Sequence, residues 1–260
     1  MSLGGLDFQT LLDSHLRMQA GCYVAGVEPA PGGGCYIRSA LPEPGFNLAV
    51  GTGDLGWVAA TARRHGRRPA LLALDDAASP DPDVKPACIG RFPTRWMVRD
   101  SGAPASSTTG SALSDSLALT VETNPAPGRD FLTVCGDLYA DPATNAVAQA
   151  VFVPVLAAAR AVPGVETRHL TLSEAGTPVA CASLYRAGSR AGLYNVGTRA
   201  PHQGRGLGAA VTRAALHCAA EAGAGTVSLQ CVGDGPVERL YQRLGFTLAA
   251  SPVLWVFDYA

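Results

Sequence analysis

Lysine is almost missing from this chain: of the 20 basic residues among 260, only Lys85 is a lysine. The excess of arginine is read as a matter of genome composition. Charge as a whole is sparse, at 16% of residues, and nearly balanced, with a formal net charge of -1. That removes the electrostatic case for a nucleic-acid or anionic-membrane partner. Long apolar runs are also missing. The most apolar stretch, residues 146–162, is interrupted by Gln149, Pro154 and Arg160 and is too short for a membrane span. Residues 1–10 lack a basic start followed by an apolar stretch, so no secretory signal is expected and the protein is placed in the cytoplasm. The seven cysteines are scattered, with no Cys-x-x-Cys and no His-paired spacing, so neither a disulfide framework nor a zinc site is suggested. Buried thiols are the expectation.

What is present is enough apolar material, 47% of residues, to bury a core for one large domain or two small ones. Residues 81–85 form a proline and aspartate loop, and residues 101–116 are rich in Ser, Thr, Gly and Ala. The second stretch suggests a boundary, giving domains 1–110 and 111–260. Before it, helices are expected over residues 8–19 and 55–65, strands over 70–74 and 95–98, and a glycine and proline loop over 28–34. Gly32, Gly33 and Gly34 follow Pro31 and precede Cys35, Tyr36 and Ile37 rather than a helix, so they read as a connection. After it, residues 118–123 and 131–134 are strand or helix starts. Residues 142–161 read as a helix kinked at Pro154, and 169–172, 179–185 and 193–198 as an antiparallel meander.

The most informative segment follows that meander. Gln203, Gly204, Arg205, Gly206, Leu207 and Gly208 lie between an apolar strand and a long amphipathic helix. Alternating glycines let successive N–H groups converge on one ligand, and the helix start adds unpaired donors and a positive dipole end. This is the make-up of an anion cradle for a phosphate or pyrophosphate; a tight strand-to-helix turn is the plain alternative. The helix closes at Gly223 and Gly225, a strand follows over 226–232, and Asp234, Gly235 and Pro236 open a second helix ending at Gly245 and Phe246. Residues 253–259 read as a last strand.

This order of pieces resembles the GCN5-related N-acetyltransferase (GNAT) family. The family's phosphate-loop pattern is met at Gln203, Gly206 and Gly208, and its later helix signature at Leu240, Tyr241, Gly245 and Phe246. Asp234 stands where the family has asparagine and Val237 where it has alanine. The first departure removes an amide donor from a family contact to the coenzyme. The resemblance covers about residues 170–260. It implies an α/β fold of the α+β type, a mixed, mostly antiparallel sheet flanked by helices. It also implies acetyl-CoA as co-substrate, bound by Val196, Gly197, Thr198, Gln203, Gly204, Arg205, Gly206, Leu207, Gly208, Ala209 and Asp234.

By the same resemblance, main-chain groups of residues 196–198 bond the pantetheine arm. A glycine inside a strand, as at Gly197, is met where a ligand approaches or where the strand bulges. Tyr241 is the general acid for the departing thiolate, with helix packing as its plain role. The N-terminal part is read as a second, smaller and degenerate GNAT-like copy without a phosphate loop of its own.

No general base is legible. Asp137, Tyr139, Glu122, Glu174 and His202 are candidates without a defined direction, and an amine of low pKa, or a water chain, removes the need for one. Cys231 is read as buried filler. The acceptor is a small-molecule or peptide amine, and a homodimer remains open. Two rivals stand beside this reading. Gly204, Gly206 and Ala209 also fit the dinucleotide fingerprint, but the position about 20 residues on that should be acidic holds Gln230. The other rival is a non-catalytic acyl-CoA binding or sensing protein.

Overall fold

The computed structural model describes residues 6–74, 87–102 and 116–258. The proline and aspartate loop at 81–85 and most of the stretch at 101–116 lie outside the described residues. In chain order the elements are α1 (Phe8–Gln19), β1 (Gly26–Pro29), β2 (Cys35–Arg38), β3 (Leu48–Val50), α2 (Leu55–Arg64), β4 (Ala70–Ala73), β5 (Cys88–Asp100), β6 (Leu117–Glu122) and α3 (Arg129–Cys135). They continue with α4 (Pro142–Val147), α5 (Val153–Ala157), β7 (Glu166–Glu174), β8 (Thr177–Ala187), β9 (Arg190–Thr198), α6 (Leu207–Glu221), β10 (Thr226–Val232), α7 (Pro236–Arg243), β11 (Thr247–Ala250) and β12 (Val253–Phe257).

The chain forms two compact units that interleave. The first comprises Met1–Cys22, Met97–Leu229 and Arg239–Thr247; the second comprises Tyr23–Trp96, Gln230–Glu238 and Leu248–Ala260. This division differs from a single cut at residue 110. Helix α1 belongs to the first unit, because its buried face, Leu11, Leu12, Ser14, Met18 and Gln19, packs on β8 and β9.

In the first unit β6, β7, β8 and β9 pair antiparallel in sequence order. β10 then joins β9 in parallel, with Thr226 opposite Arg190 and Ser228 opposite Gly192. α6 is the crossover helix a parallel pair requires. It buries Leu207, Val211, Ala215, Leu216 and Ala219, and it packs on β8 and β9. α3 packs on β8 as well, burying Phe131 and Val134.

The expected single helix at 142–161 is instead two short helices with a π-helical turn, Ala148–Phe152, between them. The turn precedes Pro154, which can supply no N–H to the previous turn.

In the second unit β1, β2 and β3 pair antiparallel. β3 and β4 pair in parallel around α2, and β12 inserts antiparallel between β4 and β5. Tyr36, Ala49, Val58, Ala62, Leu71, Val253, Trp255 and Phe257 form its core. Gly32, Gly33 and Gly34 all have positive φ and make the turn of the β1–β2 hairpin, as their sequence context suggested. The run β1-β2-β3-α2-β4 therefore has the same pairing directions as β7-β8-β9-α6-β10 in the first unit. Each unit is a mixed, mostly antiparallel sheet with helices packed on it.

Candidate functional site

The site is built where β9 delivers the chain to α6. β9 does not run straight: pairing with β8 steps from Cys181 opposite Gly197 to Ser183 opposite Tyr194, so Asn195 and Val196 together face Ala182. Asn195 takes the left-handed conformation, φ 52°, that this bulge demands. The parallel ladder with β10 ends at Gly192 and Ser228, and β9 runs on past it toward the loop.

Gly197 has a packing reason. A Cβ there would come within 2.5 Å of Leu138 Cδ2, so glycine lets the Leu138 side chain of the α3–α4 connection lie against the strand without moving its end.

The loop matches the expectation of an anion cradle in its backbone. Gly204 and Gly206 have φ of 77° and 79°, a region that costs other residues about 1–2 kcal/mol. Nothing lies within 4 Å of where a side chain would stand at either, so the loop is open on that side. Gly206 is the N-cap of α6 with no side-chain cap. The first backbone bond of the helix is Ala210 N–H to Gly206 O. Among the described residues, the N–H groups of Gly204, Arg205, Gly206, Leu207, Gly208 and Ala209 have no acceptor within the chain. A helix start of this kind suits an anion.

The side chains of the loop have structural duties. Gln203 Nε2 donates to Leu138 O at 2.8 Å and to Thr198 O at 3.0 Å, tying the loop to the strand end and to the α3–α4 connection. Arg205 donates to both oxygens of Glu174, at 2.9 and 2.5 Å, so its guanidinium points at a carboxylate. The bond from Arg205 holds the Glu174 carboxyl below its ordinary pKa. His202 Nδ1 lies 3.1 Å from Arg205 Nη1 and 3.8 Å from Glu174.

A side chain at Gly208 would meet Thr198 Oγ1 at 3.6 Å and Leu240 Cδ2 at 3.9 Å. That contact brings the turn of α7 that carries Tyr241 against the start of α6. Tyr241 is buried, its ring edge-on to Phe246 with centroids 5.7 Å apart.

Asp234 belongs to the second unit. It has φ 62°, and its carboxylate accepts from Arg95 Nη2 at 2.8 Å while its N–H donates to Glu238 at 2.6 Å. It borders a cleft of about 380 Å³ with Arg91, Arg95 and Ser251. Cys231, nearby in sequence, has its thiol pushed up to about 11 by burial.

The other sequence candidates for a base are engaged. Asp137 Oδ2 accepts from Arg199 Nε at 2.7 Å, and Glu122 accepts the N–H of Gly128 at 2.9 Å. Tyr139 is exposed and lines, with Asp137, Asn145 and Gln149, a cleft of about 610 Å³.

The second unit has a matching strand–turn–helix, β3 to α2, across Gly51, Thr52, Gly53 and Asp54, and it is closed to an anion. Asp54 Oδ1 accepts the N–H of Trp57 at 2.9 Å, so the helix start already holds a negative charge.

Among the described residues no group of three or more His, Cys, Asp or Glu is placed to hold a metal, and no helix is long and apolar enough to cross a membrane.

Two groups that sequence reasoning passed over converge on β9. His15 Nδ1 lies 3.2 Å from the Tyr194 hydroxyl, and Gln19 lies beside the same phenol. Both sit on α1, where they look like ordinary polar positions of an amphipathic helix.

Solved structures share this architecture. A GCN5-related N-acetyltransferase from Kribbella flavida superposes with a TM-score of 0.60 at 18% identity, over 98% of this chain and 97% of that one. A tandem GNAT protein from the clavulanic acid biosynthesis pathway gives 0.56 at 15% identity, over 89% and 81%. An acetyltransferase of the GNAT family from Novosphingobium aromaticivorans gives 0.52 at 19%, over 90% and 91%. No curated protein matches the sequence. The model of the acetyltransferase (GNAT) family matches residues 138–246, which run from the α3–α4 connection through the loop to Phe246. The likeness to the acetyltransferase (GNAT) family is thus carried by residues 138–246 in sequence and by both units in fold.

Proposed function

We propose that this chain transfers the acetyl group of acetyl-CoA directly to a primary amine. The observation that carries the reading is the open loop at the start of α6, with Gly204 and Gly206 in the left-handed region and six consecutive N–H groups lacking an acceptor. Those groups fit a pyrophosphate, and the backbone rather than Arg205 holds it. Arg205 and Gln203 shape the loop through Glu174, Leu138 and Thr198. Main-chain groups of Val196, Gly197 and Thr198 orient the arm that follows. Bound acetyl-CoA supplies an activated thioester whose sulfur leaves as a thiolate.

Tyr241 gives its proton to this sulfur as the new C–N bond forms and the C–S bond breaks; the amine nitrogen releases one proton to solvent, and solvent reprotonates Tyr241. Asp234, engaged with Arg95, contributes by holding the turn into α7 rather than by an amide-type contact. The second unit is a degenerate copy of the same fold. Its support is the repeated order of antiparallel meander, parallel pair and crossover helix, together with the Asp54 cap that occupies its own helix start.

A binding protein without turnover is the second reading, favoured by the engagement of Asp137, Glu122 and Glu174 in local bonds, which leaves none of them poised as a base. Release of free CoA thiol on adding acetyl-CoA and a panel of amines separates the two. Thiol release that depends on the amine supports the enzyme; acetyl-CoA binding with no release for any amine supports the sensor.

A further inference from the structure

A short chain of hydrogen bonds runs beneath β9 in the first unit. It starts at Pro125 O, passes through His169 and Ser183, and ends on the side chain of Asn195. His169 and Ser183 are fully buried and stand opposite each other in the β7–β8 ladder, whereas Asn195 is half-buried. α3 closes over them. The Phe131 ring meets His169 edge-on with centroids 5.1 Å apart, and Cys135 Sγ lies 3.7 Å from Cys181 Sγ.

Each bond in the chain has one direction. Pro125 O, 3.1 Å from His169 Nε2, can only accept, so the imidazole carries its proton there and Nδ1 accepts in turn. The Ser183 hydroxyl donates to Nδ1 across 2.9 Å, which leaves the serine oxygen to accept from Asn195 Nδ2 at 3.1 Å. With a carbonyl at one end and an amide donor at the other, the chain has no route for a proton. Its effect is to hold an orientation.

The residue so held is the one that makes the bulge. Asn195 has φ 52°; the other non-glycine residues of positive φ among the described residues, Ala175 and Asp234, sit in turns, while Asn195 lies inside a strand. The left-handed region is unfavourable for any residue with a Cβ, least so for Asn, and it persists where neighbours enforce it. Here β8 enforces it twice. Ser183 holds the side chain, and Cys181 Sγ donates to Asn195 O at 3.4 Å. Residues two apart lie on one face of a strand, so both grips come from the side that α3 covers.

The grip on the carbonyl reaches the next residue. The peptide joining Asn195 to Val196 is planar and trans, so a fixed Asn195 O fixes the Val196 N–H in the opposite direction, away from Cys181. On the edge of β9 away from β8, the ladder with β10 has already ended at Gly192.

We infer that Asn195 is a positioning residue for the coenzyme arm, with Ser183 and His169 acting through it to fix the main chain of Val196. This positioning rests on the acetyl-CoA reading above, in which an arm laid from the loop along residues 198 to 196 meets Val196 last. It also gives a reason for asparagine at the bulge. Glycine adopts the same φ but leaves the peptide free to turn.

The test is a double-mutant cycle on acetyl-CoA affinity, measured by calorimetry on the full chain. Asn195→Gly keeps the left-handed φ and removes the amide. Ser183→Ala removes the oxygen that receives it. Ser183→Cys, which fills the same space with a weak acceptor, runs beside it so that a folding failure of one leaves the cycle complete. Each single substitution is expected to weaken acetyl-CoA binding about tenfold. The double variant is expected to bind within about twofold of the weaker single one, because Ser183 has then lost the group it acts through. A merely structural Ser183 lowers the melting temperature and shows no such coupling in affinity.

Affinity within about twofold of wild type in Asn195→Gly, or in both serine variants, overturns the inference, and so do losses that multiply in the double variant. Failure of wild type to bind acetyl-CoA is a different result: it overturns the coenzyme reading, and the inference falls with it.

Discussion

Arg205 and Glu174 are joined at two points, with the guanidinium nitrogens 2.9 and 2.5 Å from the carboxylate oxygens. The single cation within the phosphate-loop motif is thus spent on β7, and the loop is left to bind through its backbone. Replacing Arg205 by alanine is therefore expected to change acetyl-CoA affinity by less than about threefold, because a solvent-facing pair of this kind contributes little. Calorimetry checks this; a loss of a hundredfold would return Arg205 to the ligand.

Tyr241→Phe keeps the ring that meets Phe246 edge-on and removes only the hydroxyl. Stability should change by less than about 1 kcal/mol, while kcat falls by about a hundredfold with acetyl-CoA affinity retained. Steady-state kinetics beside a melting curve gives both numbers, and an unchanged kcat would reduce Tyr241 to a packing residue.

Asp54 caps α2 where the first unit has Gly206 at the start of α6. Asp54→Ala should cost about 1 kcal/mol of stability and leave acetyl-CoA binding untouched, since the anion site is assigned to the other helix. Denaturant titration and calorimetry on one preparation test both halves of the statement.

His169 is wholly buried, with Nδ1 2.9 Å from Ser183 Oγ and Nε2 3.1 Å from Pro125 O. The carbonyl fixes the proton on Nε2, so Nδ1 accepts from the serine hydroxyl. Desolvation lowers its pKa below the ordinary 6.5. The unfolded chain therefore takes up a proton at a higher pH than the folded one, and stability falls as pH drops below about 6.5. In His169→Gln that part of the acid slope should be missing, as melting temperatures across pH 5 to 7 will report.

Much of the architecture was legible because local chemistry decides it. Asp7 caps α1 and Asp54 caps α2, glycines with positive φ mark the ends of α6 and α7, and apolar runs mark β4, β8 and β10. The loop at 203–208 could be located from its glycines alone.

What escaped was set at long range. β7 and β9 extend past their apolar centres because partner strands, not side chains, complete the ladder at Glu166 and Arg190. β11 has no apolar alternation to betray it, with Thr247 and Leu248 both exposed. Two of the carboxylates weighed as bases, Asp137 and Glu174, turned out to be paired with Arg199 and Arg205, partners 62 and 31 residues away. For the same reason α1 read as part of an N-terminal domain, while its Gln19 and His15 belong beside Tyr194.

The central claim is that the backbone of the turn into α6 holds acetyl-CoA. Isothermal titration of wild type and Gly206→Glu tests it most directly, with Gly206→Ala as a control for the strain of about 1–2 kcal/mol that any side chain meets at φ 79°. The account predicts micromolar binding to wild type, retained but weakened in the alanine variant and abolished by the glutamate. No binding to wild type, or equal binding to the glutamate variant, would contradict it.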